Sequence, residues 1–256
     1  SEVRDHYAKV ARSNGAAGCG PGCCAPKAGA SLVLGYTADE LAAVPQGADL
    51  GLGCGTPLAF AALKAGERVL DLGSGGGLDC FLAARQVGAA GGIIGIDMTP
   101  EMVSKARANA ERLAVANVDF RLGEIEHLPV ADASVDVVIS NCVINLSPDK
   151  RAVLREVLRV LRPGGRLAIA DILASAPLPA ALREGPGALA GCIAGATAID
   201  EMKRLLADAG FVDVRIELRA DSKQLLRDWA PELKAEEYVA SAAIEARRPG
   251  REPRAG

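Results

Sequence analysis

Aromatic side chains are scarce: Trp, Tyr and Phe together make up 3% of the 256 residues. Proteins that grip single-stranded nucleic acid stack its bases on such rings, so that mode of binding is disfavoured. Basic residues are not in surplus either, since 29 Lys and Arg face 32 Asp and Glu for a formal net charge of -3. No broad positive field is available to hold a polyanion, and no nucleic acid is expected as a partner. Histidine occurs twice, at His6 and His127. That argues against a histidine-rich zinc or iron centre and against a serine–histidine–acid triad. No apolar run approaches the ~18 residues of a membrane helix, and the amino-terminal segment has no basic-then-apolar leader pattern. The expectation is a cytoplasmic protein without membrane contact, from which a few residues ahead of Ser1 have been trimmed.

Against these absences stand a large apolar fraction and a surplus of thiols. Half of the residues are hydrophobic, enough for the core of one α/β domain with additional segments. There are seven cysteines, at positions 19, 23, 24, 54, 80, 142 and 192. A reducing compartment keeps thiols free, so this supply points to soft-ligand or redox chemistry rather than to a disulfide framework. No tandem Cys-x-x-Cys pairs occur, which leaves no zinc ribbon.

The clearest local chemistry lies in Val69-Leu-Asp-Leu-Gly-Ser-Gly-Gly-Gly77 and, beyond it, Ile93-Ile-Gly-Ile-Asp97. A buried strand, a glycine loop and a helix carrying Leu78, Phe81, Leu82 and Val87 at helical spacing form a ligand cradle. The second strand ends in Asp97, where a carboxylate accepts hydrogen bonds from the two ribose hydroxyls of an adenosine. Dinucleotide folds carry G-x-G-x-x-G to seat a pyrophosphate on the helix N-terminus. Here the spelling is Asp71-x-Gly73-x-Gly75-x-Gly77, with Ser74 between the first two glycines. It resembles the first motif of class I S-adenosylmethionine-dependent methyltransferases. That resemblance implies Asp71 at the ammonium end of the methionine tail, and Met98 beside Asp97 on the adenosine.

Around this core, strands and helices alternate. Strands are expected at 68–72, 93–97, 118–122, 135–140 and 166–172, with helices at 78–87, 100–113 and 149–162; alternation of this kind predicts a doubly wound, mostly parallel sheet. The last helix shows one apolar face of Val153, Leu154, Val157, Leu158 and Leu161 before Pro163-Gly164-Gly165 stops it. Ahead of the core, 3–11 reads as a short helix, Ser13 to Gly29 as a mobile cysteine-rich flap, and Thr37-Ala-Asp-Glu40 as a capping box opening a helix to Val44. Pro177 to Gly187 interrupts the pattern, with a short helix at 188–196. A helix at 199–209 and strands at 212–218 and 238–246 complete seven strands, the last two as the antiparallel hairpin edge of class I methyltransferases. The organisation is therefore an amino-terminal flap and cap (1–66), a cofactor core (67–172), an insertion (173–198), the remainder of the fold (199–246) and a disordered tail (247–256).

The cysteine-bearing words narrow the family. Gly51-Leu-Gly-Cys54-Gly-Thr-Pro, Asp97-Met-Thr-Pro-Glu-Met102, Gly123-Glu-Ile-Glu-His-Leu-Pro129, Asn141-Cys-Val-Ile-Asn-Leu146 and Gly191-Cys-Ile-Ala-Gly-Ala196 together resemble bacterial arsenite methyltransferases over nearly the whole chain. The resemblance implies that Cys54, Cys142 and Cys192 hold As(III) as a pyramidal trithiolate. It also implies that Cys23 or Cys24 takes part in disulfide exchange with Cys54, served by a small-thiol or thioredoxin-type reductant. Glu124, Ile125 and Glu126 match the family segment beside the adenine ring, and Asn141 is placed with the cofactor. Cys80 is expected to pack. Thr56 stands where asparagine is common, Gly76 and Leu78 depart from the usual cofactor loop, and the chain is shorter at its C-terminus than some relatives. Arsenite and methylarsenite are the implied substrates. Two other readings stay open: a methyltransferase for a small organic carbon or oxygen acceptor, and a thiol-based arsenic binder without turnover.

Overall fold

The computed structural model describes residues 2–12, 30–184, 192–219, 222–229 and 234–250. Cys19, Cys23 and Cys24, residues 188–191 of the expected 188–196 helix and the end of the tail lie outside them.

Parallel pairing organises the centre. β1 (Arg68–Leu72) lies between β2 (Gly92–Asp97) and β4 (Val135–Asn141), β3 (Val118–Leu122) flanks β2, and β5 (Leu161–Ala174) flanks β4. β8 (Val239–Arg247) then runs antiparallel to β5 and to β7 (Val212–Leu218), giving the order β3-β2-β1-β4-β5-β8-β7. A two-residue strand, β6 (Thr197–Ala198), makes eight where seven were expected. It pairs with Leu173 and Ala174, on the edge of β5 that β4 leaves after Ala170. This small bridge fastens the returning end of the insertion to the sheet.

Both faces of the sheet are covered, which is why its central strands read as continuous apolar runs rather than as alternating ones. On one face, Leu70 and Leu72 pack with Val153, Leu154 and Val157 of α7 (Lys150–Val160) and Met202, Leu205 and Leu206 of α9 (Ile199–Ala209). On the other, Val69 packs with α5 (Leu78–Val87), with Val103 and Ala106 of α6 (Pro100–Leu113), and with Leu58 and Ala61 of α4 (Leu58–Ala61). The pleat sends alternate β1 side chains to opposite layers, so Asp71 shares the α5 side with Val69.

Before the core, α1 (Glu2–Arg12) lays Val10 and Ala11 against Met102 of α6. α2 (Ala30–Leu34) precedes α3 (Ala38–Ala42), whose capping box is formed as the sequence predicts: Thr37 Oγ1 accepts from the Glu40 amide and Glu40 Oε2 from the Thr37 amide. Thr56, the departure from family wording, is buried and donates to the Leu34 carbonyl at 3.0 Å, tying α2 to the Cys54 loop. α8 (Ala180–Glu184) and α10 (Ser222–Trp229) were not expected from the sequence. Of the helix expected at 188–196, residues 192–195 are turn.

Ordered backbone runs past position 247, where the sequence places the start of a disordered tail. Arg247 is still paired with Arg166 and Val212, and Arg248 donates to the carbonyls of Leu158 at 2.9 Å and Arg159 at 3.2 Å and to that of Leu161. The Leu158 and Arg159 carbonyls lie in the last turn of α7 without intrahelical partners, and one guanidinium reaches them together with that of Leu161, where β5 begins. Order thus extends past the boundary set at 247.

Candidate active site: a glycine cradle joined to a thiol cluster

The sheet order reverses between β1 and β4, and a crevice at such a switch point, outside the carboxyl ends of the strands, is where doubly wound sheets bind ligands. Here Asp71, Gly73, Ser74 and Gly75 come from the end of β1, Asp97 and Met98 from β2, and Asn141 and Cys142 from β4, all lining one cleft. Ile125 and Glu126 add a wall, and Cys192 arrives from the insertion.

The loop chemistry follows from its backbone. Gly73, Gly75 and Gly77 have φ of +69°, +51° and +97°, where a Cβ is strained. At Gly73 a Cβ would also collide with the Val143 methyls, and at Gly76 it would lie 2.7 and 2.8 Å from the Gly47 and Ala48 carbonyl oxygens. Gly77 faces away from the cleft, against Phe81 and Phe120. Asp97 fixes the loop from the other strand: Oδ2 accepts from the Gly75 amide at 3.0 Å and Oδ1 from the Thr99 amide at 2.8 Å.

Three carboxyls converge on this end. Burial raises the proton affinity of Asp97, and burial together with the neighbouring Asp79 charge raises that of Asp71 well above the usual carboxylate range. Cys80 packs as expected but also donates its thiol to Asp71 Oδ2 at 3.2 Å. Asp79, in the first turn of α5, is pushed up to about 6 by burial despite hydrogen bonds from Tyr36 at 2.8 Å and Asn141 at 3.4 Å. A cleft with three desolvated acids is built for a cation.

Sequence reasoning passed over Asp79 and Tyr36. The available signal was an acid between Leu78 and Cys80, at the start of the apolar stretch that runs to Ala84. His6 and Tyr7 of α1, Leu50 and Leu52 also line the cleft. Glu124 does not; it is exposed and pairs with Arg4 at 2.7 Å.

Asn141 joins the two ends. Its Oδ1 accepts from the Cys54 amide at 2.9 Å while Nδ2 donates to the Gly55 carbonyl at 2.8 Å and to the Tyr36 hydroxyl at 3.0 Å. The Cys54 loop is thereby clamped onto the end of β4, and Ser241 of β8 donates to the Cys54 carbonyl from behind. Cys142 extends the ladder by one bond, its amide donating to the Ala170 carbonyl at 2.8 Å, and then leaves the sheet with φ +60°. That region is sparsely populated for residues with a Cβ and recurs at functional sites.

The ligand atoms of Cys54, Cys142, Cys192 and Asp171 all lie within 4.8 Å of one another, and all four residues are buried. The sulfurs of Cys54 and Cys142 are in disulfide contact with their Cα atoms 5.4 Å apart, and the Cys192 thiol donates to the Cys142 carbonyl at 3.0 Å. The disulfide pairing implied for Cys54 lay with Cys23 or Cys24; among the described residues its sulfur partner is Cys142. Asp171 was not singled out from the sequence, although an acid inside the apolar run Leu167-Ala-Ile-Ala-Asp-Ile-Leu173 is a visible anomaly. Burial raises its carboxyl to about 7 against the pull of the Ile172 and Asn145 amides and the Lys150 charge. Three soft donors around one point suit a thiophilic ion, and the lack of imidazole ligands argues against a typical catalytic zinc.

Comparisons with known proteins match this construction at both ends. A methyltransferase-domain family model matches residues 63–210. An arsenite methyltransferase of Halobacterium salinarum is 52% identical over 98% of this chain and 66% of its own length. The arsenite methyltransferase of Aquipseudomonas alcaligenes is 47% identical over 64% of this chain and 49% of its own. The chain thus spans from about half to about two thirds of these relatives. The crystal structure of an arsenic(III) S-adenosylmethionine methyltransferase from Chlamydomonas reinhardtii superposes with a TM-score of 0.63 at 35% identity, covering 88% of this chain and 74% of that one. A phosphoethanolamine N-methyltransferase of Haemonchus contortus, at 19% identity and a TM-score of 0.64, shares the fold alone. With its cofactor-loop spelling, its switch-point cleft and its clustered cysteines, this chain belongs to the methyltransferase-domain family and, within it, to the arsenite methyltransferases.

Proposed function

We propose that this protein transfers the methyl group of S-adenosylmethionine to As(III) held by Cys54, Cys142 and Cys192, with arsenite and then methylarsenite as substrates. The observation that carries this reading is continuity: Cys142 and Cys192 line the same cleft as Asp71 and Asp97. S-adenosylmethionine supplies an electrophilic methyl on a sulfonium. The residues present fit it, since the glycines admit close backbone approach and the buried acids await a cation. Asp71 would meet the ammonium and Asp97 the ribose hydroxyls, with Met98, Ile125 and Glu126 around the adenine.

Three thiols displace the oxygens of arsenite as three waters, each sulfur's proton leaving with a departing oxygen, and arsenic is left three-coordinate with a lone pair. That pair is the nucleophile, so no general base is required. The chain's task is to dehydrate and align the two reactants, an effect worth on the order of 7–11 kcal/mol in ideal intramolecular cases. For a further round, a thiolate attacks one arsenic-bound sulfur, the S–S bond forms, and the As–S electron pair returns to arsenic. Cys23 or Cys24 is assigned that attack on Cys54, and a small thiol or thioredoxin-type reductant reopens the disulfide. The same reductant would open a Cys54–Cys142 bond before arsenite enters, in keeping with a cytoplasmic setting.

A single-turnover reaction with arsenite, S-adenosylmethionine and excess reduced thiol tests the reading, with arsenic species separated by chromatography and identified by mass spectrometry. Methylated arsenic is the expected product. Unchanged arsenite in protein that binds the cofactor would redirect the assignment to a small organic acceptor, and arsenite binding without cofactor binding to an arsenic sensor.

A further inference from the structure

Asp171 is the one member of the buried cluster that the trithiolate does not use. It lies on β5 one residue past Ala170, the last residue of β5 paired with β4. Its Oδ1 accepts from Asn145 Nδ2 at 2.9 Å and from the Ile172 amide at 2.8 Å, and its Oδ2 from the Asn145 amide at 3.3 Å. The Ile144 amide adds another donor. These donors occupy the oxygens and set the carboxylate's orientation. A fourth arsenic ligand is not what they prepare, because three-coordinate As(III) needs its remaining direction for the lone pair.

Asn145 also binds the surroundings together. Its Nδ2 donates to the Ile172 carbonyl at 2.6 Å, and a Cβ at Gly195, on the turn carrying Cys192, would collide with its carbonyl oxygen. The group is therefore held by the ends of β4 and β5 and by the insertion together. The charged groups facing it are Lys150, with Glu201 beside that lysine, and the three thiols.

Charge bookkeeping gives this carboxylate a task. The arsenic trithiolate is neutral. When its lone pair forms the As–C bond, the C–S bonding pair stays on the departing sulfur, which becomes a neutral thioether. The positive charge that began on the sulfonium ends on arsenic, as a methylarsonium trithiolate. We infer that Asp171 stabilises the positive charge that develops on arsenic during methyl transfer, a role that rests on the function proposed above. A fixed charge aimed where charge appears, in a site closed to water, lowers the barrier without reorganising at the moment of reaction. Resting affinity for arsenite is untouched, because the neutral trithiolate has little to gain from it.

The experiment compares Asp171→Asn, Asp171→Ser and Asp171→Glu in the full chain. Serine is a second uncharged variant in case the amide misfolds against its four donors. Arsenite and S-adenosylmethionine affinities are measured by equilibrium titration, and methyl transfer by single turnover. Expected for an uncharged variant are both affinities within about threefold of wild type and a transfer rate about 100- to 1000-fold lower, the range for removing one transition-state charge partner. Glutamate should recover at least about tenfold of that loss. The inference is overturned if an uncharged variant transfers at the wild-type rate, if glutamate is no better than asparagine or serine, or if arsenite affinity collapses in all three, which would make Asp171 a builder of the thiol site. Failure of wild type to methylate arsenite would instead remove the proposed function.

Discussion

The two ends of the cleft are assembled differently. The cofactor end is local: Asp71, the glycine loop and Asp97 come from two adjacent strands and the turn between β1 and α5, and its strain is carried by glycines that suit positive φ. The thiol end is long-range, drawing Cys54 from the cap, Cys142 from the end of β4 and Cys192 from the insertion, with strain at a cysteine itself. A local site tolerates change elsewhere because neighbouring residues hold it. A long-range site depends on clamps, here Asn141 on the Cys54 loop, β6 on the insertion and Asn145 between the end of β5 and the turn carrying Cys192.

The largest predicted effect separates the ends. Cys142→Ser or Cys192→Ser should abolish arsenite methylation, because a hard hydroxyl replaces one of three soft donors. Cofactor affinity should stay within about twofold, as expected for changes without shared partners. Equal loss of cofactor binding, read by calorimetry, would show that the ends are one unit.

Gly73→Ala should break both ends together. Its positive φ would be strained and its new Cβ would drive into Val143, the neighbour of Cys142. Strain and overpacking together cost about 2–4 kcal/mol, visible as a lower denaturation midpoint with weaker binding of cofactor and arsenite alike. Gly75→Ala, with open space at its Cβ, should cost only the φ strain of ~1 kcal/mol. If both variants left arsenite binding intact, Val143 would not couple the two ends.

The same contrast governs what the sequence disclosed. Strands β1 and β3, helices α5, α6 and α9, and the α3 capping box were legible because apolar period, caps and glycines encode them within a few residues. α10 was not: its apolar positions Leu225, Leu226 and Trp229 are few, and its packing against β8 and residues 235–237 is a tertiary fact. Cys54, Cys142 and Cys192 have no local spacing that marks a site, and only resemblance grouped them; the fold brings them together through three separate segments. Asp171 and Asp79 were hidden because an acid in an apolar stretch acquires meaning only once its neighbours are known.

Asp97→Ala should weaken S-adenosylmethionine binding by about 10- to 100-fold, the loss of charged hydrogen bonds, while leaving arsenite affinity unchanged. Asp97 also braces Gly75 and Thr99, so hydrogen exchange at those amides should rise together. Unaltered cofactor affinity would remove the ribose assignment.

A smaller effect concerns pH. Burial lifts Asp79 from 3.8 to about 6, so between those values the folded chain binds more protons than the unfolded one. Its stability therefore falls as pH rises through about 4 to 6 and stays penalised above, with a ceiling of about 3 kcal/mol. Asp79→Asn keeps an acceptor for Tyr36 and removes the charge. Without cofactor, its melting temperature should exceed that of wild type at pH 8 and converge toward it near pH 4. Addition of the cationic cofactor should then narrow the gap at pH 8. A constant gap across pH would mean that folding leaves the proton affinity of Asp79 unchanged.

The smallest effect tests where the cleft wall ends. Ile125 points inward and is 8% exposed, whereas Glu124, one residue earlier, is outside and pairs with Arg4 of α1. Exposed ion pairs contribute about 0–1 kcal/mol, so Glu124→Ala should change cofactor affinity by less than about threefold, while Ile125→Ala removes apolar contact and should cost more. α1 supplies His6 and Tyr7 to the same cleft, so the Arg4–Glu124 pair is the route by which Glu124 would act at a distance. Salt separates the two possibilities, since screening weakens an exposed pair and leaves a direct cofactor contact in the cleft largely intact. If cofactor affinity in wild type falls with added salt to the level of Glu124→Ala, the pair works by holding α1 against the cleft. If Glu124→Ala matches Ile125→Ala at every salt concentration, the wall includes Glu124 itself and the cofactor end reaches further than the folded chain indicates.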